Sequence, residues 1–274
     1  MVKILLITGK DAAGKTTLAL NIAAGLKKYG KSVLLIDTGA NIPALGYDLN
    51  FFTNPYTLTD VVERRVDIEL ALREFNGFKY LIGSWNSNNF KKIPSDKILE
   101  VVDEVSTDFT HVIFDSSLNN EVVNLLSEKR EVVFVTKPLI EEIGGIEKFN
   151  GEKIGLLVNM VGKSKDEISP RAVEFLTQIP LLGDVPYDTK VLLALSARKP
   201  VVEIFPNCSA SKKINEFVSK YMNGKIKFSK LSEETIFLKN NSLDSILKRI
   251  IFLENKVSTL EKALKENTAP VILE

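Results

Sequence analysis

Short apolar runs recur along the first 223 positions, each followed by a stretch whose apolar residues return every three or four places. The runs are Val2–Thr8, Ser32–Ile36, Tyr80–Ser84, His111–Phe114, Glu131–Thr136, Ile154–Asn159 and Leu181–Val185. "VLLI", "HVIF", "VVFV" and "IGLLV" show no polar alternation, the pattern of strands covered on both faces in a parallel sheet. Helical spacing follows at Lys15–Lys28, Ser95–Val105, Asn120–Lys129, Pro170–Gln178 and Ser209–Met222. Leu58–Phe75 reads as a further helix after the turn signal Asn54-Pro55. Strand–helix alternation of this kind predicts a doubly wound α/β fold with a mainly parallel sheet.

The pattern changes after Gly224. "KIKFSKL" alternates like a short strand, and "TIFLKNN" reads as its hairpin partner. From Ser242, a plausible N-cap, a heptad begins, with Leu243, Ile250, Val257 and Leu264 at one seam position and Ile246, Leu253 and Leu260 at the other. Arg249–Glu254 and Lys256–Glu261 have the spacing of interchain ion pairs in a parallel coiled coil. Leu247, Ile251 and Phe252 widen the apolar face. The reading is two domains, 1–223 and 224–274, the second ending in a C-terminal oligomerisation helix that makes a homo-oligomer: a dimer or higher, a tetramer included. The competing reading packs this helix on its own body.

With 274 residues, 45% of them hydrophobic, the chain can bury a sizeable core. A formal charge of +1 gives no global bias, so a nucleic-acid surface must be a local patch. A single cysteine, Cys208, excludes an internal disulfide framework and weighs against cluster carriage. No signal-peptide cleavage region and no uncharged stretch of membrane-spanning length are visible, which predicts a soluble cytoplasmic protein.

The first apolar run leads into "TGKDAAGKTT". Gly9, four residues, then Gly14-Lys15-Thr16 fits the P-loop pattern, with the required strand before and helix after. Amides of such a loop point inward and the helix dipole adds positive charge, Lys15 reaches the β- and γ-phosphates, and the Thr16 hydroxyl suits Mg2+. The fold class is therefore a P-loop, Rossmann-like one.

Lys10-Asp11-Ala12-Ala13-Gly14-Lys15-Thr16 resembles the deviant Walker A loop of the ParA/MinD family of ATPases, whose pattern is K-G-G-x-G-K-[ST]. The resemblance extends over about residues 1–223. "SVLLIDTGAN" is similar to the second strand and switch I, beginning at Asp37; "HVIFDSS" resembles switch II, with Asp115 on the magnesium side. "LLVNM" places Asn159 on the adenine, and "DVPYDTKVLLALSARKPV" places Pro186 and Asp188 at the nucleotide-side turn. The resemblance implies ATP or ADP with Mg2+ as cofactors, held by Lys10, Asp11, Ala12, Ala13, Gly14, Lys15, Thr16 and Thr17, with Thr16 and Asp115 toward the metal. It implies catalytic roles for Lys10, Lys15 and Asp37, Lys10 reaching across a dimer to the partner's phosphates.

Departures from the family pattern bear on turnover. Asp11 and Ala12 replace two glycines, Gly39 stands where switch I often has a second aspartate, and Asp115-Ser116-Ser117-Leu118-Asn119 lacks the switch II glycine. Phosphoryl transfer depends on positioning, so these changes predict retained binding with slow or lost hydrolysis.

Between Lys190 and Lys230 stand Lys190, Arg198, Lys199, Lys212, Lys213, Lys220, Lys225, Lys227 and Lys230, opposed by Glu203 and Glu216. Nine bases against two acids leave a local excess of +7. In ParA-like proteins basic residues around the final helices bind DNA without sequence preference, through counterion release. The resemblance thus implies DNA partition in chromosome or plasmid segregation, a nucleoid-associated location and a ParB-like partner. A solvated lysine face is the plainer reading. Membrane docking of the MinD kind ranks lower, because "ILKRIIFLENK" lies inside the heptad. Cofactor or metal delivery ranks lower still, for want of cysteines. His111 and Cys208 read as structural.

Overall fold

The computed structural model describes residues 2–38, 45–46, 56–84, 94–105, 107–118, 123, 126–127, 130–143 and 153–230. Gly39, Trp85, Asn119, most of 120–129 and the heptad residues Leu243 to Leu264 lie outside the described residues. The chain divides into two compact units, Met1–Leu231 and Ser232–Glu274.

Among the described residues eight strands form one sheet: β1 (Lys3–Gly9), β2 (Val33–Asp37), β3 (Arg73–Phe75), β4 (Phe78–Leu81), β5 (His111–Asp115), β6 (Glu131–Thr136), β7 (Lys153–Val161) and β8 (Leu181–Pro186). Their order is β3-β4-β2-β5-β1-β6-β7-β8, parallel throughout except for the β3–β4 pair. Leu5, Leu6, Ile7, Leu34, Leu35, Val112, Ile113 and Val133 are buried. Continuous apolar runs are therefore strands covered on both sides, as their composition requires. From β1 the chain winds to β2 in one direction, and from β6 through β7 to β8 in the other. The order reverses at β1, and ligands of open α/β sheets bind beyond the strand ends at such a point.

Helix α1 (Lys15–Lys28) is buried continuously from Leu18 to Leu26. A helix apolar on all sides belongs inside the protein, and each fully covered leucine or isoleucine contributes about 1.5–3 kcal/mol. Its outer side packs on α8 (Ser209–Met222) through Ile214, Phe217, Val218 and Tyr221. Asn21, buried in α1, donates to Thr17 O at 2.7 Å and accepts from Val202 N at 3.1 Å. That acceptor anchors the start of α7 (Val201–Ile204), which follows α6 (Thr189–Ser196) across the break at Pro200.

Leu58–Phe75 is not one helix. It comprises α2 (Leu58–Val62), α3 (Ile68–Ala71) and β3. The cause is the turn Asn76-Gly77, with φ 48° and 77°. Positive φ at both central positions makes the tight hairpin turn whose twist matches paired strands, and it folds Arg73–Phe75 back onto Phe78–Tyr80. Two further helices, α4 (Ser95–Val105) and α5 (Pro170–Thr177), flank the sheet. The segment after Gly224 returns to the sheet, where Ser229 and Ile154 exchange backbone hydrogen bonds of 2.8 and 3.0 Å. No helix among the described residues is long and apolar enough to cross a membrane.

Candidate functional site

The loop 10–14 joins the end of β1, at the sheet's switch point, to α1. Gly14 is the N-cap of α1 with φ 87°, and no side chain caps the helix there. A Cβ at Gly14 would come within 2.3 Å of Asn159 Nδ2, so only glycine lets strand β7 close against the loop. Ala12, at φ 59°, adopts the same left-handed backbone with a side chain to bear its cost.

The two lysines at the loop are held by backbone carbonyls. Lys15 Nζ donates to Lys10 O at 2.7 Å and lies 3.6 Å from Asp11 Oδ1. The Lys15 side chain is 10% exposed, the Asp11 side chain 89%. Asp11 therefore faces solvent and does not plug the loop. Lys10 Nζ donates to Glu141 O, in the 3-10 turn Ile140–Glu142 after β6. Beside it, Lys137 is paired with Glu142 at 2.7 Å.

Asp37 and Asp115 are register partners at the carboxyl ends of adjacent strands β2 and β5, and both are buried. Thr16 Oγ1 donates to Asp115 Oδ2 at 2.5 Å. Thr38 ties the same point together, its N–H and hydroxyl donating to Asp115 O at 2.8 and 3.1 Å. Asp37 Oδ2 accepts from Leu45 N at 3.1 Å. Thr8 Oγ1, buried at the end of β1, has no hydrogen-bond partner among the described residues. These residues fit a magnesium nucleotide. A hydroxyl and a carboxylate share one proton-bearing contact at an uncapped helix start, with a lysine whose present partner is a loop carbonyl.

Alongside the helix start lies a cavity of about 130 Å³, lined by Gly14, Thr17, Leu18, Asn159, Met160, Lys163, Val185, Pro186, Tyr187, Asp188, Val191, Leu192, Leu195 and Ile214. It thus unites Gly14, Thr17, Asn159, Pro186 and Asp188, which lie up to 174 positions apart in the chain. Asn159 Nδ2 donates to Ala13 O at 2.8 Å, leaving its carbonyl oxygen as the acceptor that can meet a ligand. Asp188, on the cavity wall, also holds backbone. Its Oδ1 accepts from Lys190 N at 3.0 Å, and its Oδ2 from Ser209 N at 3.0 Å and Ser209 Oγ at 2.7 Å. One carboxylate caps α6 and also anchors the start of α8. The Ser209 hydroxyl and the Lys190 amide hold it at a pKa of about 2.

Met160, Lys163, Tyr187, Val191, Leu192 and Leu195 also line the wall, and sequence alone does not single them out. Their signal was adjacency: they follow Asn159 and Pro186 directly or at helical spacing. Lys163 sits 5.3 Å from the Tyr187 ring centre, stacking two of them together.

The basic residues fall into two groups. Lys213 and Lys220 share Glu216, at 3.4 and 2.6 Å, and Lys213 also lies 3.9 Å from Asp184. Lys190, Arg198, Lys199, Lys212, Lys225 and Lys227 are exposed and form no salt bridge among the described residues. Leu192 and Leu193, on α6 between two of them, are 52% and 58% exposed.

His111, the single histidine, lies at the opposite end of the sheet. It is buried against Tyr221, with Nδ1 3.0 Å from Thr110 Oγ1 and Nε2 without a hydrogen-bond partner among the described residues. Cys208 is buried as the N-cap of α8, accepting from Ser211 N.

A P-loop at the switch point of a parallel sheet is the arrangement of nucleotide-binding α/β proteins. Residues 4–201 match the CobQ/CobB/MinD/ParA nucleotide binding domain, and the chain belongs to that family. It is 26% identical to an uncharacterized ATP-binding protein of Methanocaldococcus jannaschii, over 82% of this chain and 89% of that one. It is 29% identical to a putative septum site-determining protein MinD of Chlorella vulgaris, over 73% of this chain and 77% of that one. Its fold is similar to the septum site-determining protein MinD of Pyrococcus horikoshii OT3, a structure complexed with Mg-ADP. The TM-score is 0.72 at 23% identity, covering 83% of this chain and 100% of that one.

Proposed function

We propose that this chain is a nucleotide-dependent positioning protein of the ParA kind, binding ATP or ADP with Mg2+ and acting on DNA in chromosome or plasmid partition. The observation that carries the nucleotide reading is the Thr16–Asp115 hydrogen bond at an uncapped helix start. In this reading Lys15 exchanges Lys10 O for the β- and γ-phosphates, Thr16 and Asp115 hold Mg2+, and Asn159 Oδ1 accepts from the adenine amino group. The metal supplies charge neutralisation for the phosphates. Lys10, once released from Glu141 O, reaches the phosphates of a second copy. Hydrolysis is slow, because Gly39 has no side chain to orient water.

The exposed bases Lys190, Arg198, Lys199, Lys212, Lys225 and Lys227 support DNA as the surface that is bound, in the cytoplasm and on the nucleoid, with a ParB-like protein as partner. Self-association through the heptad of 243–264 multiplies a weak patch into avid binding. Leu193, 58% exposed on α6, favours a second reading, docking on a membrane as a MinD-like protein, since an exposed apolar side chain beside basic ones suits a lipid surface.

One experiment separates the two readings: DNA retardation at two salt concentrations, with and without ATP, beside sedimentation with anionic liposomes. Salt-sensitive DNA binding supports partition; lipid pelleting without DNA binding replaces it with the membrane reading. Titration calorimetry beside phosphate release tests the nucleotide half. Rapid turnover that Lys15→Ala abolishes would refute slow hydrolysis.

A further inference from the structure

We infer that Asp11 makes this loop discriminate against the terminal phosphate, so that it favours a nucleoside diphosphate over the triphosphate. The inference rests on the nucleotide reading above and specifies its ligand.

The direction of the bound phosphate chain follows from where the cavity lies. Gly14, Thr17 and Asn159 border the cavity, so the base end sits beside the start of α1. From there the loop runs back through Ala13 and Ala12 to Asp11, and each added phosphate extends toward that end. Lys15 Nζ, the group that meets the β- and γ-phosphates in a P-loop, already lies 3.6 Å from Asp11 Oδ1. A third phosphate held by Lys15 therefore comes within a few ångströms of a carboxylate. Lys15 is the only cation paired with Asp11 among the described residues, and Mg2+ accompanies both the diphosphate and the triphosphate, so the carboxylate's repulsion of the added phosphate is left in the comparison.

Two effects of Asp11 can be separated. By holding Lys15 in the free protein it weakens every nucleotide equally, and this cancels in a comparison of two nucleotides. Its repulsion of the terminal phosphate does not cancel. Two like charges about 6 Å apart in a largely aqueous setting change a ratio of affinities by about threefold, and about tenfold at half the dielectric. The side chain is 89% exposed, so the effect belongs in that range and weakens with salt.

The test is titration calorimetry on the full chain with Mg2+, using ADP and the non-hydrolysable triphosphate AMP-PNP. Wild type, Asp11→Asn and Asp11→Glu are compared at low and high salt. The expected result is a fall of about three- to tenfold in the ratio of AMP-PNP to ADP dissociation constants for Asp11→Asn, with Asp11→Glu retaining the wild-type ratio. The difference shrinks at high salt. Binding of both nucleotides with a ratio that Asp11→Asn leaves unchanged overturns the inference and spares the nucleotide reading. Binding of neither nucleotide by any of the three proteins overturns the nucleotide reading itself.

Discussion

Thr16 Oγ1 donates to Asp115 Oδ2 at 2.5 Å, joining the first turn of α1 to the end of β5 across 99 positions of sequence. The contact exists because β1 and β5 are neighbours with Ile7 opposite Asp115, which brings the helix start over the strand end. Thr16→Ala removes a donor from a buried carboxylate, and is expected to lower stability in urea unfolding by about 1–3 kcal/mol. The same variant is expected to lose about tenfold or more in Mg-ADP affinity, but little in ADP affinity measured in chelator. Thr16→Ser should restore both. An equal loss with and without Mg2+ would remove Thr16 from the metal side.

Ala12 and Gly14 occupy the same left-handed backbone region with opposite consequences. Ala12 is exposed at φ 59°, so Ala12→Gly relieves strain without losing packing. The relief of about 1–2 kcal/mol is partly offset by unfolded-chain entropy, for a net gain of about 0.5–1 kcal/mol. Gly14→Ala adds strain and drives a methyl group against Asn159, costing about 1–3 kcal/mol and weakening nucleotide binding. Chemical denaturation of the pair checks the sign of each.

Asp188 links pH to stability in the acid range. Its pKa falls from 3.8 unfolded to about 2 folded, chiefly through the Ser209 hydroxyl. The unfolded chain binds the proton more readily, so this contribution is present above pH 3.8 and is lost as pH falls toward 2. The side chain is only half-buried, which limits the stabilisation to about 1 kcal/mol. Asp188→Ala should cost about 1–2 kcal/mol at neutral pH through the lost caps. Asp188→Asn keeps a cap and flattens the acid limb of stability measured against pH.

His111 acts in a higher window. Burial first, then the charges of Lys3 and Lys31, lower its pKa from 6.5 to about 4. Protonation favours the unfolded chain, so stability is full above pH 6.5 and declines as pH falls to about 4, by roughly 2–3 kcal/mol. His111→Phe, facing the Tyr221 ring, should abolish that decline. Thermal unfolding of both proteins between those pH values decides it, and a persistent decline would place the titration elsewhere.

Sheet strands were legible in the sequence because a strand buried on both faces must be apolar at every position, and that signal is local. The P-loop was legible for the same reason: Gly14, Lys15 and Thr16 answer to the backbone and charge needs of a few consecutive residues. Asn76-Gly77 is an equally local signal, and it overrides the helical apolar spacing of 58–75 to make β3 a strand.

Other features were settled only by tertiary contacts. Asp188 lines the cavity and caps α6 from local sequence; that its second oxygen also anchors α8 depends on the approach of Ser209, 21 positions away. Glu216 neutralises Lys213 and Lys220 because they share one helical face, while Lys212 and Arg198 remain exposed. By itself, then, the sequence determined which segments are strands and where phosphate-binding chemistry begins, since backbone geometry and burial act over a few residues. Tertiary structure decided which polar groups meet, because hydrogen-bond and ion-pair partners are chosen by distance in space, which chain order does not encode.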